Sequence, residues 1–356
     1  MKVKFGKKKV GDGEPCFITF EAGPTHSGLK SAKRLVGFAA QAGADAIKFQ
    51  ILDPDRLVAD KKQLFSYEIL IDQEAGKTET ITEPLYDILC RRVMSKDEWK
   101  DLKGYSDSLG LAFFATVSFD DEIDLLEELE CDSIKIASAD VNHWPLIRRA
   151  ARTRMCVQLD TGNATIGEIE EAVDIIDSEG NKNIIIHNCP SGYPARIESI
   201  NLNLIPTLKR LFPYPVAFSD HTAGWDMDIA AVALGANLVE KTITENRTTR
   251  SVEHIMSLEP PDMKVFVKKI HELQVALGNS RRVLHPEEAE KRKAFRRSAF
   301  LKRPVTKGKS VCLTDIEFRR PGYGIGPNEF ENFQNTRFSK NLPAGHMIKI
   351  EDLRGV

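Results

Sequence analysis

The sequence predicts a (β/α)8 TIM barrel followed by a small β-rich domain, and three observations carry that prediction. From Cys16 onward, short apolar runs rich in β-branched or aromatic residues alternate with longer amphipathic stretches, which is how βα units read. Eight such runs occur, in order CFITFEA, ADAIKFQ, LAFFATV, DSIKIAS, MCVQLDT, NIIIHNC, PVAFSD and ANLVEKTIT. The chain has 356 residues, which suits a barrel of roughly 250 residues with an appended module. An open doubly wound sheet gives a similar list, but it usually carries a Gly-rich phosphate loop after its first strand. Here the first strand runs into EAGPTHSG, which does not fit GxGxxG.

The helical patterns include SAKRLVGFAAQAG and DEWKDLKGYSDSLG, each after a strand. A long mixed segment from about Ile51 to Leu85 breaks the rhythm. Because it follows a strand it belongs to the catalytic face, where it is either a lid or a decorative insertion. The helix PPDMKVFVKKIHELQVALG closes the barrel domain, residues 1–280. Residues 281–296, which take in most of the charged run HPEEAEKRKAFRR, read as a solvated linker. Residues 297–356 have short β-like runs broken by Gly and Pro, the texture of a small β-rich domain.

Composition narrows the function. Fifty basic residues almost balance 52 acidic ones, so nothing calls for nucleic acid or an anionic membrane as partner. No apolar run approaches the roughly 18 residues of a membrane span, and the start MKVKFGKKKVGDGEP lacks a signal-peptide core. The default compartment is the cytoplasm. The six cysteines are scattered without the paired spacing of a zinc or redox centre. They read as small buried hydrophobes.

In such a barrel the catalytic groups stand at the carboxyl ends of the strands. The polar residues there are Glu21, Lys48, Gln50, Thr116, Lys135, Ser138, Asp160, His187, Asn188, Asp220, His221, Glu240, Lys241 and Thr242. Lys48 and Lys135 lie inside strands, where a long cation implies an anionic ligand or a buried carboxylate such as Glu240. With Thr116, Ser138 and Ser219 as hydroxyl donors, a ligand carrying phosphate and carboxylate accounts for both. His221, after Asp220, can bind a divalent metal, transfer a proton or serve as a hydrogen-bonded structural group. Glu21 either orients a water or pairs with a barrel lysine.

The blocks FEAGPTHSG, AGADAIKFQ, FFATVSFD, SIKIASAD, DTGNATIGEIEEA, HNCPSGYPA, FSDHTAGWDMDIAAVALGA, VEKTIT and SVEHIMSLEP, in this order, resemble the sialic acid synthase family. RRSAFLKRPVTKGKSV and RRPGYGIGP resemble that family's C-terminal antifreeze-like (SAF) domain. The resemblance implies condensation of phosphoenolpyruvate with an N-acylated amino-sugar aldehyde, giving a nonulosonic acid and phosphate. It assigns Lys48, Thr116, Lys135, Ser138 and Ser219 to phosphoenolpyruvate and Tyr193 to the sugar. Arg320 would reach into the partner's active site of a homodimer with exchanged C-terminal domains. Glu21, and with it Asp220, would handle the protons of the attacking water. A divalent metal, Mn2+ or Mg2+, would polarise the aldehyde.

The sequence departs from the family on the reacting side. Of the two metal-binding histidines only His221 is present, since EKTIT puts Thr242 where an EKHFT block has its histidine. Asp160 stands in place of a serine, Gly192 in place of an asparagine, and Glu253 in place of an aspartate beside a retained His254. Three readings follow: a synthase whose metal site is rebuilt with Asp160, Glu253 or His254; a metal-independent condensing variant; or a non-catalytic barrel that binds a phosphorylated ligand in a regulatory role.

Overall fold

The computed structural model describes residues 1–334 and 336–354. They form two compact units, Met1–Gly278 and Asn279–Val356. In the first, eight parallel strands close into a barrel: β1 (Phe17–Glu21), β2 (Ala46–Gln50), β3 (Ala112–Val117), β4 (Ser133–Ile136), β5 (Cys156–Asp160), β6 (Ile184–Asn188), β7 (Val216–Asp220) and β8 (Leu238–Thr242). Each is one of the eight apolar runs, and each pairs with its sequence neighbours, β8 closing on β1 with Thr242 opposite Glu21.

Strand residues alternate between two faces. One set, including Ile18, Phe20, Ile47, Phe113 and Leu159, packs into the layer between strands and helices. The other set fills the barrel and changes character along its axis. At the amino ends it is apolar: Phe17, Ala46, Phe114, Cys156, Ile185, Ala217 and Leu238. Toward the carboxyl ends it becomes polar, with Thr19, Glu21, Lys48, Lys135, Gln158, His187, Ser219 and Glu240 all buried. The barrel is therefore a dry plug beneath a buried polar layer.

The N-terminal residues, which as a sequence read only as a charged start, finish the plug. Val3–Phe5 and Lys8–Val10 pair antiparallel and send Val3, Phe5 and Val10 into the apolar end of the barrel. The Phe5 ring stacks on Phe17 at 4.5 Å and meets Phe114 edge-on at 5.1 Å.

The segment expected as lid or insertion forms a hairpin, Leu64–Asp72 with Lys77–Pro84. Its Tyr67, Ile69 and Ile81 pack with Ile88 and Val252, so its apolar side is anchored beside Glu253. In the second unit Ser298–Leu301 pairs with Ile316–Arg319, and Arg337–Phe338 with Leu353–Arg354. Both pairs surround a core that includes Leu301, Phe330, Phe338 and Ile348. Residues 281–296 are not a bare linker: they contain helix Pro286–Phe295. That helix is exposed along its length, as its charge predicts. Cys16, Cys131, Cys156 and Cys189 are buried as expected, whereas Cys90 and Cys312 are exposed. No helix among the described residues is long and apolar enough to cross a membrane.

If the N-terminal hairpin is an integral plug, Phe5→Ala should lower the unfolding free energy of the chain by about 3–5 kcal/mol, the usual cost of emptying a packed phenylalanine site. Urea unfolding measures this. A loss below about 1 kcal/mol, typical of a surface substitution, would mean that the hairpin is a loose attachment.

Candidate active site

The polar layer at the carboxyl ends is built around Glu240 of β8. Its two carboxylate oxygens each accept from a different lysine, Oε1 from Lys48 Nζ at 3.0 Å and Oε2 from Lys135 Nζ at 2.8 Å. Lys48 also contacts the Glu21 carboxylate, and Lys135 lies 2.9 Å from Asp160 Oδ1. Register sets this up: Glu21 is opposite Lys48, and Ser219 is opposite Glu240.

Beneath the lysines, hydrogen bonds tie Ser219, His187, Gln158 and Ser133 together. Ser219 Oγ lies 3.1 Å from Lys135 Nζ and 3.1 Å from Asp160 Oδ1. His187 joins the layer through Nδ1, 2.9 Å from Ser219 Oγ, and through Nε2, 2.8 Å from Gln158 Oε1. Gln158 in turn donates to Ser133 Oγ at 2.9 Å. Burial and the adjacent Lys135 push the His187 imidazole down to about 3, so it is neutral and acts as a fixed dipole. His187, one of the polar residues picked out at the strand ends, is part of this floor.

Above the layer opens a cavity of about 250 Å³. Lys48, Glu21, Asp160 and Glu240 form its base, while Thr116, Ser138, Tyr193, His221 and Glu253 line its walls. Ile51, Leu52, Leu57 and Leu89 supply an apolar side, so the segment after β2 contributes directly to the cavity. Eight of the residues assigned from the sequence thus converge, and Ser219 lies just below them.

Burial separates the carboxyl groups. Burial opposes charge on Glu240, but Lys135 and Lys48 override it and hold that carboxyl far below the usual range. Glu21 is pushed upward by burial despite Lys48. Its Oε1 accepts from Gly23 N at 2.5 Å. A Cβ on Gly23 would stand 2.5 Å from that same oxygen and 2.7 Å from Gln50 N, so only glycine lets the chain pass here. Burial, with Glu21 nearby, pushes Glu253 up to about 8. At neutral pH Glu253 is a protonated, hydrogen-bond-donating acid, and Glu240 is an anion. Carboxyl groups set apart in this way are the usual raw material of acid–base chemistry.

The protonation pattern of His221 follows from its partner. Nδ1 lies 2.9 Å from the Pro190 carbonyl oxygen and must donate to it, which leaves the Nε2 lone pair free. Burial lowers its pKa, and the Tyr193 ring packs against it at 4.6 Å. Gly192, just before Tyr193, has φ 107°, a conformation that disfavours a side chain.

Three assignments do not fit the geometry. Asp220 points away from the cavity into the helix layer, where its carboxylate accepts from Thr222 N and Oγ1 at 2.9 Å and pairs with Lys241. Strand alternation requires this: with Ser219 facing inward, Asp220 and its neighbour Lys241 face outward. It is a structural ion pair and not a proton-transfer group. His254 does not line the cavity; its Nδ1 is 2.7 Å from Thr244 Oγ1. Asp160 lines the cavity, but its Oδ1 is already engaged by Lys135 and Ser219. Thr242 Oγ1 donates to Glu253 Oε2 at 3.4 Å. No three His, Cys, Asp or Glu side chains among the described residues converge on a point suited to a metal. The residues present therefore do not fit a metal site rebuilt from Asp160 and His254, and His221 Nε2 is the free nitrogen donor that faces the cavity. Arg320 belongs to the second unit, where its Nε donates to the Phe295 carbonyl at 3.0 Å.

One charged group beside the site drew no notice in the sequence. Arg92 is buried, and its Nε has no hydrogen-bond partner among the described residues. Its field reaches Glu253 and Glu21. It follows Arg91 in a run that reads as a helix end, and no local pattern marks which of the two turns inward.

Comparison with known proteins supplies the family. The NeuB family model matches residues 35–282. The chain belongs to the NeuB family. It is 33% identical over 354 residues to N,N'-diacetyllegionaminic acid synthase of Legionella pneumophila, covering 98% of this chain and 97% of that one. An uncharacterised protein of Methanocaldococcus jannaschii is 34% identical over 355 residues, 99% of each chain. The crystal structure of N-acetylneuraminic acid synthetase from Leptospira borgpetersenii, in complex with citrate, superposes with a TM-score of 0.71 at 29% identity, covering 82% of this chain and 95% of that one. The resemblance drawn from the sequence blocks and the TIM-barrel expectation both agree with these matches.

In this NeuB-family chain Asp160 occupies Lys135 as a built-in anion. Replacing it by asparagine should free that lysine and strengthen phosphoenolpyruvate binding by about tenfold, equivalent to about 1.4 kcal/mol. Isothermal titration checks this; weaker binding by Asp160→Asn would mean that Asp160 helps to hold the ligand.

Proposed function

We infer that the chain condenses phosphoenolpyruvate with the aldehyde of an N-acylated amino sugar, forming a nonulosonic acid and releasing phosphate. The observation that carries this reading is the pair of buried lysines held on Glu240, Lys48 at the base of a cavity with a hydroxyl wall and Lys135 in the layer beneath it. The names of the NeuB-family relatives support the product class. In this reading Lys48, Lys135, Thr116, Ser138 and Ser219 hold the phosphate and carboxylate of phosphoenolpyruvate, where charge-assisted hydrogen bonds in a dry site are strong. Tyr193 and the apolar wall receive the sugar.

The chemistry needs three events. C3 of phosphoenolpyruvate forms a bond to the aldehyde carbon, whose oxygen takes a proton and becomes a hydroxyl. Water adds to the cationic C2, losing a proton to a base. The C2–oxygen bond to phosphate then breaks, leaving a ketone and inorganic phosphate. Glu21, buried beside Lys48, is placed to exchange protons with the water.

A divalent metal is the polarising agent implied by the sequence resemblance. Here two of the groups that would rebuild its site, Asp160 and His254, are committed elsewhere, and this favours the metal-independent variant. Glu253, protonated at neutral pH, donates a hydrogen bond and then a proton to the aldehyde oxygen, with neutral His221 beside it. The homodimer with exchanged C-terminal domains, in which Arg320 serves the partner's site, belongs to the same proposal; light scattering on the full chain tests it, a monomer at working concentration contradicting it.

The direct test incubates the chain with phosphoenolpyruvate and a panel of mannosamine-type and 2,4-diamino sugars, each N-acylated. Phosphate release is followed with Mn2+ or with EDTA. Release that requires one of the aldehydes and survives EDTA is expected. Release abolished by EDTA would restore the metal reading, and phosphoenolpyruvate binding without release from any aldehyde would point to the regulatory barrel.

Glu253 also predicts a pH dependence. As the acid form is the active one, kcat/KM should be sustained below pH 8 and fall as pH rises through about 8. Glu253→Gln cannot transfer a proton, so kcat should drop by roughly 10²–10⁴ and that alkaline limb should vanish. A limb that persists in Glu253→Gln would assign it to another group.

A further inference from the structure

The second unit holds a cavity of its own, of about 590 Å³. Three arginines line it: Arg292 on the last turn of helix Pro286–Phe295, and Arg296 and Arg297 just beyond. All three are exposed. Three of the unit's seven other arginines are matched with carboxylates, Arg282 with Glu288, Arg303 with Asp315 and Arg319 with Glu317. Among the described residues, none of the three cavity arginines has such a partner.

The chain is shaped to bring them together. Gly322 N donates to the Lys293 carbonyl at 2.7 Å. A Cβ on Gly322 would stand 2.7 Å from Arg296 Cβ and 3.1 Å from the Arg296 carbonyl carbon. Glycine there allows the strand–loop after Arg319 to lie directly against the helix end, and the groove between them becomes the cavity. One carboxylate lines it, Glu329, whose Oε2 accepts from Gly326 N at 3.0 Å. Against three guanidinium charges this leaves the cavity with a net excess of two positive charges.

An excess of two matches a phosphate monoester, which carries about −1.5 to −2 at neutral pH. Guanidinium groups also suit phosphate geometrically, because each can present two parallel N–H donors. The volume lies within the roughly 300–1,000 Å³ of small-molecule sites, leaving room for more than the phosphate itself. The lining contains Asn328 as a neutral polar group and no aromatic side chain, so it offers hydrogen bonds to hydroxyls and no stacking platform for a base.

From three arginines without carboxylate partners lining one polar cavity, we propose that the unit Asn279–Val356 binds a sugar phosphate through Arg292, Arg296 and Arg297. The proposal does not depend on the barrel reaction.

The test is calorimetric titration of the full chain with glucose 6-phosphate, with glucose, inorganic phosphate and adenosine monophosphate as comparison ligands. Glucose 6-phosphate should bind, glucose should not, and inorganic phosphate should bind more weakly. The double variant Arg296→Ala/Arg297→Ala should weaken binding by about tenfold or more, with a melting curve showing that the chain remains folded. Arg292→Glu, a single charge reversal outside any strand, should do the same and provides a second route if the double variant unfolds. Lys48→Met, which alters the barrel cavity, should leave the affinity within about twofold, as distant sites act independently. Binding that survives both arginine variants, or is lost in Lys48→Met, would overturn the proposal. Absence of binding by the unaltered chain would also overturn it, and tighter binding of adenosine monophosphate would overturn the sugar assignment.

Discussion

Everything at the mouth of this barrel depends on one carboxylate, Glu240, shared between Lys48 and Lys135. Two ammonium groups buried in one cavity would otherwise repel each other and lose their hydration, a cost of several kcal/mol per ion. Glu240 bridges them: Lys48 keeps a hydrogen-bonding direction for something above, while Lys135 is held from below by Glu240, Asp160, Ser219 and His187. Glu21 and Asp160 add further negative charge from either side. Such a layer is an expensive way to stabilise a fold, since apolar residues of similar volume commonly do as well. Its value is a fixed cation, Lys48, at the base of the cavity, with Lys135 buried directly beneath it, both positions set before any ligand arrives.

The remaining architecture protects that layer. The apolar residues of the strands' amino ends, together with Val3, Phe5 and Val10, seal it from below. The neutral His187–Gln158–Ser133 chain ties its floor to the strands without adding charge. The segment after β2 covers one side with Ile51, Leu52, Leu57 and Leu89. Keeping water out strengthens the lysine–anion interactions and raises the proton affinity of Glu253, so one condition, dryness, serves both ends of the proposed reaction.

Much of this was legible in the sequence because it rests on strand periodicity. The eight apolar runs are the eight barrel strands, and in-strand Lys48 and Lys135 called for an anionic ligand or a buried carboxylate such as Glu240, which is the partner they share. The same alternation, carried one step further, places Asp220 and Lys241 outside: Ser219 and Asp220 are adjacent and cannot both face the ligand. What could not be read depends on contacts between distant loops. Arg92 reaches the site's field from a segment after a hairpin. His254 turns to Thr244, next to Glu253 with its left-handed backbone, φ 72°. The N-terminal plug was hidden because its apolar residues are too few and too interspersed with lysines to stand out. The helix in the presumed linker was hidden because its charge masks an ordinary capped start at Pro286.

In the proposed reaction water attacks C2 of phosphoenolpyruvate, and this fixes which bond breaks. Phosphoenolpyruvate carrying oxygen-18 between C2 and phosphorus, supplied with an accepted amino-sugar aldehyde, tests this by mass spectrometry of both products. Carbon–oxygen cleavage predicts that the label leaves with inorganic phosphate and that the sugar acid's C2 oxygen comes from water. Label retained in the sugar acid would mean attack at phosphorus, and would contradict the role given to the lysine-held cavity.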